Sequence, residues 1–250
     1  MYRQQQPIAA PLLVNDEVVD LVYALSGRRL PADHGWALSR AIAAALPWFE
    51  DDPVAGLHLI HGAASINGWQ RPGPAGMIEL SQRTRLVLRL GREQLAAGRQ
   101  LCGQSLSIAR HAIDIGDARV RMLVPLPNVF AHYMMITPDT EDEDAFLAHT
   151  AGQLEHLAIR PSQILCGRQR WISTPDGPIA TCSLLLAELK ASESIALLQS
   201  GLGPGRKVGC GIFVPHKNIA ALSEPLGYPG PTTDNRLLPD STDPGRLPLA

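Results

Sequence analysis

Glycine is concentrated near the C-terminal end of the chain, around two adjacent cations. The glycines flank Arg206 and Lys207 and are Gly201, Gly203, Gly205, Gly209 and Gly211. Glycine permits positive φ and close backbone approach to a ligand, and successive backbone N–H groups can converge on one anion. With two cations at its centre, this glycine loop (residues 201–211) is predicted to contact phosphate.

The common nucleotide-binding motifs do not account for the glycine loop. A P-loop places Ser or Thr directly after its Lys, whereas Val208 follows Lys207 here. A dinucleotide fingerprint runs from a strand into a helix, but this loop runs from a predicted helix into the apolar stretch 212–215. Mononucleotide binding is therefore disfavoured, and a polyphosphate backbone such as RNA is favoured. A tight turn with an exposed Arg–Lys pair is the simpler alternative.

His34 is the leading candidate for proton transfer. It lies in the first turn of a predicted helix, where the helix dipole disfavours the imidazolium. A histidine that stays neutral near pH 7 can remove a proton from a hydroxyl group. A solvated or capping histidine is the simpler interpretation, and His58 and His61 in a predicted strand are rival candidates.

Two further cationic faces are predicted. The chain has a net charge of −2 and a pI near 6.4, so a nucleic-acid partner would require local basic surfaces. Trp171 could stack on a base, although a packed core tryptophan and solvated arginines are the simpler interpretation. The candidate arginines are Arg83, Arg85 and Arg89 on one face of a predicted strand, and Arg168 and Arg170 beside Trp171.

Metal, membrane and secretory classes are disfavoured. His58 and His61 have His-x-x-His spacing but lie in a predicted strand without metal-binding geometry, and no His-x-Glu cluster is present. The four cysteines lack zinc-ligand spacing. No apolar run approaches the roughly 20 residues that cross a bilayer, and no apolar signal-peptide core follows the first residues. We therefore expect a cytoplasmic protein with no metal and no other cofactor.

The hydrophobic periodicity predicts the β-α-β-β-α-β order twice. The helix at 33–46 should begin with Asp33 as its N-cap and end at Pro47. The other elements of the first half are strands at 17–26, 56–66, 77–90 and 104–115 and a helix at about 92–101. The second half comprises strands at 119–136, 163–173 and 178–189, helices at 144–158 and after Ser192, and a last strand after the glycine loop.

This order predicts an α+β fold of tandem ferredoxin-like (RRM-like) βαββαβ domains. The first domain should span residues 1–117 and include the helix that bears His34. The second should span 118–220 and include the glycine loop. Residues 221–250 are rich in Pro, Gly, Asp and Thr without periodicity and are expected to form a mobile tail.

Three features together resemble one known family. They are the histidine-bearing helix start at 30–35, the tandem ferredoxin-like units and the glycine-rich ending at 198–215. This combination resembles the CRISPR-associated repeat-RNA endoribonucleases (the Cas-six family), especially the subtype named after myxobacteria (MYXAN), over residues 17 to about 217. The resemblance implies metal-independent cleavage of a repeat stem-loop in precursor CRISPR RNA. Attack by the 2′-hydroxyl would leave a 2′,3′-cyclic phosphate and a 5′-hydroxyl.

The resemblance also implies roles for particular residues. His34 matches the family's first-helix histidine and takes the base or acid role. Tyr23 and Arg40 are candidates to complete the site, with Arg40 purely electrostatic because arginine does not readily give up a proton. The glycine loop would pack against the RNA stem.

The implied partners are CRISPR repeat RNA and other subunits of a CRISPR effector complex, with no direct DNA contact and no membrane. One alternative is a catalytically inactive repeat-RNA-binding subunit in which His34 is structural. Another is a tandem ferredoxin-like scaffold with no role in RNA binding.

Overall fold

The structure is a computed structural model, and it describes residues 17–62, 73 and 75–217. The predicted tail at 221–250 lies outside the described residues. All structural statements below concern the described part of the chain.

The first half forms a five-stranded antiparallel sheet that packs against a helix. Its strands follow the order β3-β5-β1-β7-β6, and β2 and β4 form a separate ribbon. Taken alone, β1, β3, β5 and β7 are the four strands of a ferredoxin-like unit. The elements are β1 (Val18–Ser26), β2 (Arg29–Pro31), α1 (Gly35–Ala45), β3 (Gly56–His58), β4 (Met77–Glu79), β5 (Arg85–Gly91), α2 (Leu95–Gly98), β6 (Ser105–Ile108) and β7 (His111–Arg121).

The second half repeats this topology. Its four strands follow the order β11-β8-β10-β9, which is the same fourth-first-third-second arrangement as in the first half. The prediction of an α+β fold with tandem ferredoxin-like units is therefore confirmed. The elements are β8 (Asn128–Met135), α3 (Glu143–His156), β9 (Gln163–Thr174), β10 (Gly177–Ala187), α4 (Ala191–Ser200) and β11 (Phe213–His216).

Each half has its own hydrophobic core, and a smaller cluster joins the halves. The alternating leucines of β5 pack beneath α1, which buries Leu38 and Ile42. The joining cluster comprises Leu59, Tyr133, Ile172, Val208 and Cys210. Because Val208 and Cys210 belong to the glycine loop, this cluster sets the loop beside the start of α1.

Several predicted element boundaries were wrong. The strand predicted at 77–90 is interrupted, because a turn closed by the Thr84 N–H and the Ser81 carbonyl separates β4 from β5. Arg83 therefore lies in a turn and is out of register with Arg85 and Arg89. The strand predicted at 56–66 ends at His58, and residues 63–66 lie outside the described residues.

The connection between the halves also differs from the predicted one. The strand predicted at 104–115 is a hairpin of β6 and β7, and β7 extends to Arg121. The predicted domain boundary after residue 117 thus lies within β7. Residues 122–127 connect the two halves.

Candidate functional site

His34 is enclosed by the first half. Its side chain is 0 % exposed at the N-cap of α1. The Ile60 N–H donates to Nε2 at 3.0 Å, and Nδ1 lies 2.8 Å from the Pro31 carbonyl oxygen. Because the amide of Ile60 can only donate, Nε2 is the acceptor and Nδ1 carries the proton. The neutral imidazole therefore ties the start of α1 to the segment that follows β3.

Asp33 does not cap the helix as predicted. Its carboxylate instead accepts the backbone N–H of Ser173 in β9, at 3.1 and 3.2 Å. The contact joins the approach to α1 in the first half to an edge strand of the second half.

Tyr23 and Arg40 contact other parts of the first half. Tyr23 is buried in β1, its hydroxyl donates to the Gly98 carbonyl at 2.7 Å, and burial raises its pKa. Arg40 forms an ion pair with Glu50 at the surface. Tyr23, Arg40 and His34 therefore form hydrogen bonds with three separate partners, which are Gly98, Glu50 and Ile60 respectively.

The glycine loop needs its glycines for its own folding. Its five glycines all have φ between 66° and 90°, the region that side chains disfavour. The Leu202 N–H donates to the Gly211 carbonyl at 3.0 Å, and the Gly211 N–H donates to the Tyr133 carbonyl at 2.8 Å. A Cβ at Gly211 would collide with the Leu202 carbonyl oxygen. Close backbone packing therefore accounts for much of the glycine content.

Arg206 of the glycine loop binds backbone carbonyls. Its Nη2 donates to Val54 at 2.8 Å, across the boundary between the halves. Burial, with a smaller contribution from Arg89, lowers the pKa of Arg206 to about 10. Its guanidinium also donates to the carbonyls of Gln199 and Ser200.

Lys207 makes equivalent contacts beside Arg206. Its Nζ donates to the carbonyls of Asp52 and Ala55 and lies 4.7 Å from the centre of the Phe49 ring. Burial lowers the pKa of Lys207, although the Asp52 carboxylate opposes this shift. Together, Arg206 and Lys207 fasten the glycine loop to the connection that follows α1.

Arg89 is also an internal residue. Its side chain is 1 % exposed and forms an ion pair with Asp20, whose cross-strand position in β1 faces it. Burial alone would raise the pKa of Asp20, but Arg89 and His58 hold that pKa well below its usual value. We therefore assign Arg89 a structural role and leave it out of the candidate RNA surface.

Both halves contribute to a cleft of about 690 Å³. Arg83 and Arg85 lie together here despite the break between β4 and β5. The guanidinium of Arg85 is held by the carbonyls of Gln82 and Thr84 at 2.6 and 2.7 Å. The charged and imidazole side chains of the lining are Asp20, His58, His61, Arg83, Arg85, Arg89, Arg121 and His132.

Two histidines from different halves meet in this cleft. The ring centroids of His61 and His132 are 4.4 Å apart, with the rings tilted by 43°. Phe130, two residues before His132 on the same face of β8, contacts the His132 ring edge-on at 4.8 Å. Arg170 donates to the His132 carbonyl at 3.1 Å and so supports this strand from β9.

The sequence patterns indicate His61 only as a rival to His34, and they do not indicate His132 or Arg121. A signal for His132 existed, because Phe130 and His132 alternate with the apolar core residues Val129 and Ala131. Such alternation identifies the face of a strand that points away from the core.

Arg168 and Trp171 lie on the edge strand β9 and are exposed. The Trp171 side chain is 53 % exposed, so it is not the packed core residue of the simpler interpretation. An exposed indole can stack on a base, and an exposed arginine can contact a phosphate.

Within residues 17–62, 73 and 75–217, no group of three or more His, Cys, Asp or Glu side chains could hold a metal ion. In the same part of the chain, no helix is both long enough and apolar enough to cross a bilayer.

Comparisons with known proteins identify the family. The family model described as Cas6 Crispr matches residues 19–218. The CRISPR-associated endonuclease Cas6 of Myxococcus xanthus (strain DK1622) is 27 % identical over 204 residues, which are 82 % of this chain and 84 % of the relative.

Solved structures show the same fold. A CRISPR associated protein Cas6 has a TM-score of 0.56 at 13 % identity, covering 80 % of this chain and 100 % of its own. A RAMP protein binding different RNA substrates has a TM-score of 0.54 at 13 % identity, covering 78 % of this chain and 98 % of its own. The match over residues 19–218 confirms the resemblance seen in the sequence, and the chain belongs to the Cas6 family of CRISPR-associated proteins.

Proposed function

We propose that this chain is an endoribonuclease that cleaves CRISPR repeat RNA in precursor transcripts without a metal ion. Membership of the Cas6 family supports the substrate and the reaction class. The observation that carries the proposal is the cleft, whose lining includes Arg83, Arg85 and Arg121 as well as the contacting imidazoles of His61 and His132. Cations that bind phosphate and imidazoles that transfer protons are the groups that RNA cleavage by its own 2′-hydroxyl requires.

The proposed reaction is an internal transesterification. A base removes the 2′-hydroxyl proton, and the 2′-oxygen attacks the adjacent phosphorus. The new P–O2′ bond forms as the P–O5′ bond breaks, and the 5′-oxygen keeps the electron pair and takes a proton from an acid. No water is consumed, and the products carry a 2′,3′-cyclic phosphate and a 5′-hydroxyl. The arginines stabilise the charge that develops on the phosphate oxygens.

The RNA would bind by cationic and stacking contacts. Arg83 is exposed and lines the cleft, and Arg85 is pre-oriented by its two carbonyl contacts. Arg168 and Trp171 on β9 offer a second contact area for a base and its phosphate. The glycine loop would face the stem through its backbone, because the side chains of Arg206 and Lys207 are bonded to the first half.

The assignment of His34 as base or acid carries a structural condition. Its Nε2 can accept a proton from a 2′-hydroxyl only after the Ile60 N–H has left it. Tyr23 and Arg40 would likewise have to leave the Gly98 carbonyl and the Glu50 carboxylate. Each of these three residues would thus have to give up a contact of the folded chain before it could act on RNA.

The experiment is cleavage of end-labelled repeat RNA in excess EDTA, with analysis of the product ends. We expect a cyclic phosphate and a 5′-hydroxyl, and we expect an RNA with a single 2′-deoxy substitution at the cleavage position to stay intact. A requirement for added metal, or cleavage of the deoxy substrate, would contradict the mechanism.

A repeat-RNA-binding subunit without activity is the second candidate, and the enclosure of His34 favours it. The cleavage assay, combined with a binding assay, distinguishes the active endoribonuclease from the inactive binding subunit. A gel shift that weakens with salt, together with no product, would support the binding subunit. The absence of any salt-dependent shift would support a scaffold with no RNA role.

A further inference from the structure

We propose that Asp33 is a positioning residue for RNA cleavage, because its carboxylate fixes the backbone that carries His34 against strand β9. The proposal rests on the proposed function and on the assignment of His34 as its base or acid. Asp33 does not itself touch the reacting atoms. It acts through His34, which follows it in the chain, and it sets the distance between His34 and RNA bound to β9.

The Asp33 carboxylate uses an N–H group at the open side of a sheet. β9 is the edge strand of the second sheet and pairs only with β10, and an edge strand presents backbone groups that no strand pairs. The Ser173 N–H donates to both Asp33 carboxylate oxygens, at 3.1 and 3.2 Å, so it points out of the sheet. A hydrogen bond to an ionised acceptor is stronger than one between neutral groups. The carboxylate therefore holds the start of α1 on this strand.

A second contact holds the other side of His34. Gly35, the first residue of α1, packs so closely on β9 that a Cβ there would lie 3.0 Å from the Ile172 side chain. The same Cβ would lie 3.4 Å from the Val208 carbonyl oxygen. Because Ile172 precedes Ser173, two consecutive residues of β9 hold the residues on either side of His34. The backbone of His34 is thus fixed by the second half of the chain.

These contacts determine which bond of the His34 ring can be exchanged. Nδ1 lies 2.8 Å from the Pro31 carbonyl oxygen, and Nε2 accepts the Ile60 N–H at 3.0 Å. A 2′-hydroxyl can take the place of the Ile60 N–H, since both groups donate to the same lone pair. With its backbone fixed by β9 and Nδ1 bound to Pro31, the ring keeps its orientation during this exchange. Asp33 therefore supports the alignment that proton transfer requires.

β9 also carries two candidate RNA contacts. Arg168 and Trp171 are exposed on this strand. Trp171 precedes Ser173 by two residues, which is about 7 Å along a strand. A nucleotide stacked on Trp171 is therefore connected to His34 through a short piece of one strand and the Asp33 carboxylate.

The first test is single-turnover cleavage of saturating repeat RNA by Asp33→Ala and Asp33→Asn. Alanine offers no acceptor to the Ser173 N–H, whereas the asparagine oxygen can accept it. Asp33→Ala should cleave at least about tenfold more slowly, and Asp33→Asn should cleave within about threefold of the unaltered protein. The RNA affinity of both variants should stay near that of the unaltered protein.

Asp114→Ala is the matched control, because Asp114 is an exposed carboxylate on β7. This variant should cleave normally. Normal cleavage by Asp33→Ala would overturn the proposal. An Asp33→Asn variant as slow as Asp33→Ala would also overturn it, because the contact to Ser173 would then not be the cause of the loss.

The second test removes the donor. Ser173→Pro has no N–H at this position, and the open side of an edge strand accepts proline. This variant should lose as much rate as Asp33→Ala, and the double variant should be no slower than the slower single variant. Multiplied losses in the double variant would show that the two residues act separately and would contradict the proposal. If Ser173→Pro melts below the assay temperature, the Asp33 and His34 comparisons decide.

The third test asks whether Asp33 acts through His34. His34→Gln keeps an acceptor for the Ile60 N–H but cannot transfer a proton at neutral pH. Its residual cleavage is followed over hours with enzyme in excess. Adding Asp33→Ala should slow this residual cleavage by less than about twofold, because the group that Asp33 positions is gone. A further tenfold loss, or normal cleavage by His34→Gln alone, would overturn the positioning role.

These results are separable from failure of the proposed function. If the unaltered protein does not cleave repeat RNA in EDTA, the proposed function fails and the positioning role fails with it. If the unaltered protein cleaves and Asp33→Ala cleaves equally well, only the positioning role fails.

Discussion

Arg89 and Asp20 form a bidentate ion pair inside the first half, with Nε–Oδ1 at 2.9 Å and Nη2–Oδ2 at 3.3 Å. The Nη1 atom of Arg89 donates to the carbonyls of Leu198 and Phe213 in the second half, at 2.8 and 2.7 Å. One buried guanidinium therefore bonds to both ferredoxin-like repeats.

We expect Arg89→Met to lower the free energy of unfolding by about 3–5 kcal/mol, because the substitution leaves Asp20 as a buried charge without its main partner. Urea unfolding followed by circular dichroism measures this loss. Arg121→Ala is the matched control. Arg121 also donates to Asp20, but its side chain is 53 % exposed, so its loss should cost no more than about 1 kcal/mol. Equal unfolding midpoints for the two variants would show that the buried Arg89–Asp20 ion pair stabilises the fold no more than the exposed Arg121 contact does.

The free energy of unfolding should fall as the pH drops below 6.5, which is the usual pKa of histidine. Burial lowers the pKa of His58 from 6.5, although Asp20 opposes the shift. The unfolded chain therefore binds a proton that the folded chain does not, and this one group can remove up to about 1.4 kcal/mol per pH unit. The pKa of Asp20 is instead held low, so its contribution is lost only as the pH falls below 3.8.

The measurement is urea unfolding of the unaltered protein and of His58→Gln at pH 7.5 and 5.5. The variant should lose less stability between these two values. An equal loss in both proteins would assign the acid sensitivity to other groups.

Gly211→Ala should destabilise the protein by more than about 2 kcal/mol, because φ is +68° and the added Cβ meets the Leu202 carbonyl oxygen. Gly152→Ala is the control. Gly152 lies inside α3 with open space around it, and alanine there should add about 0.5–1 kcal/mol. Thermal melting should thus shift in opposite directions for the two variants. A neutral Gly211→Ala would show that the loop does not need its left-handed backbone.

RNA binding should depend on the cleft arginines more than on the cations of the glycine loop. Arg83→Ala should weaken binding and reduce the slope of log affinity against log salt by about 0.7–0.9, the value for one phosphate contact. Lys207→Met should lower stability and leave that slope unchanged, because its ammonium is bonded to Asp52 and Ala55. Filter binding over a range of salt concentrations measures both slopes.

Arg160 is an exposed arginine after α3, and it serves as the control. Arg160→Ala should change neither the stability of the protein nor the slope of log affinity against log salt. A reduced slope for Lys207→Met would place Lys207 in contact with RNA and contradict its internal role.

The repeated fold was predictable because its signal is local. The helix α1 follows from apolar residues at helical spacing, and Leu86, Leu88 and Leu90 follow the alternation of a strand with one face in the core. Each half also carries the turn and helix signals that order its strands. These patterns need no knowledge of contacts between distant residues.

The site was less predictable because its contacts join distant parts of the chain. Strand alternation places Arg85 and Arg89 on one face, but it does not show that Asp20 in β1 lies opposite Arg89 and neutralises it. The position of His34 at a helix start likewise does not show that its ring accepts a hydrogen bond from the Ile60 N–H. His61 and His132 meet only because the two sheets pack together, so neither half of the sequence indicates their contact.

The carbonyl contacts made by Arg89, Arg206 and Lys207 also determine how the chain can be divided. A cut in the connection at 122–127 would separate Arg89 from Leu198 and Phe213, and would leave Arg206 and Lys207 without their acceptors at residues 52–55. Each fragment would then contain at least one cation that has lost carbonyl acceptors to the other fragment. The two repeats share a topology, yet neither is a transferable module, and the smallest piece worth expressing spans both.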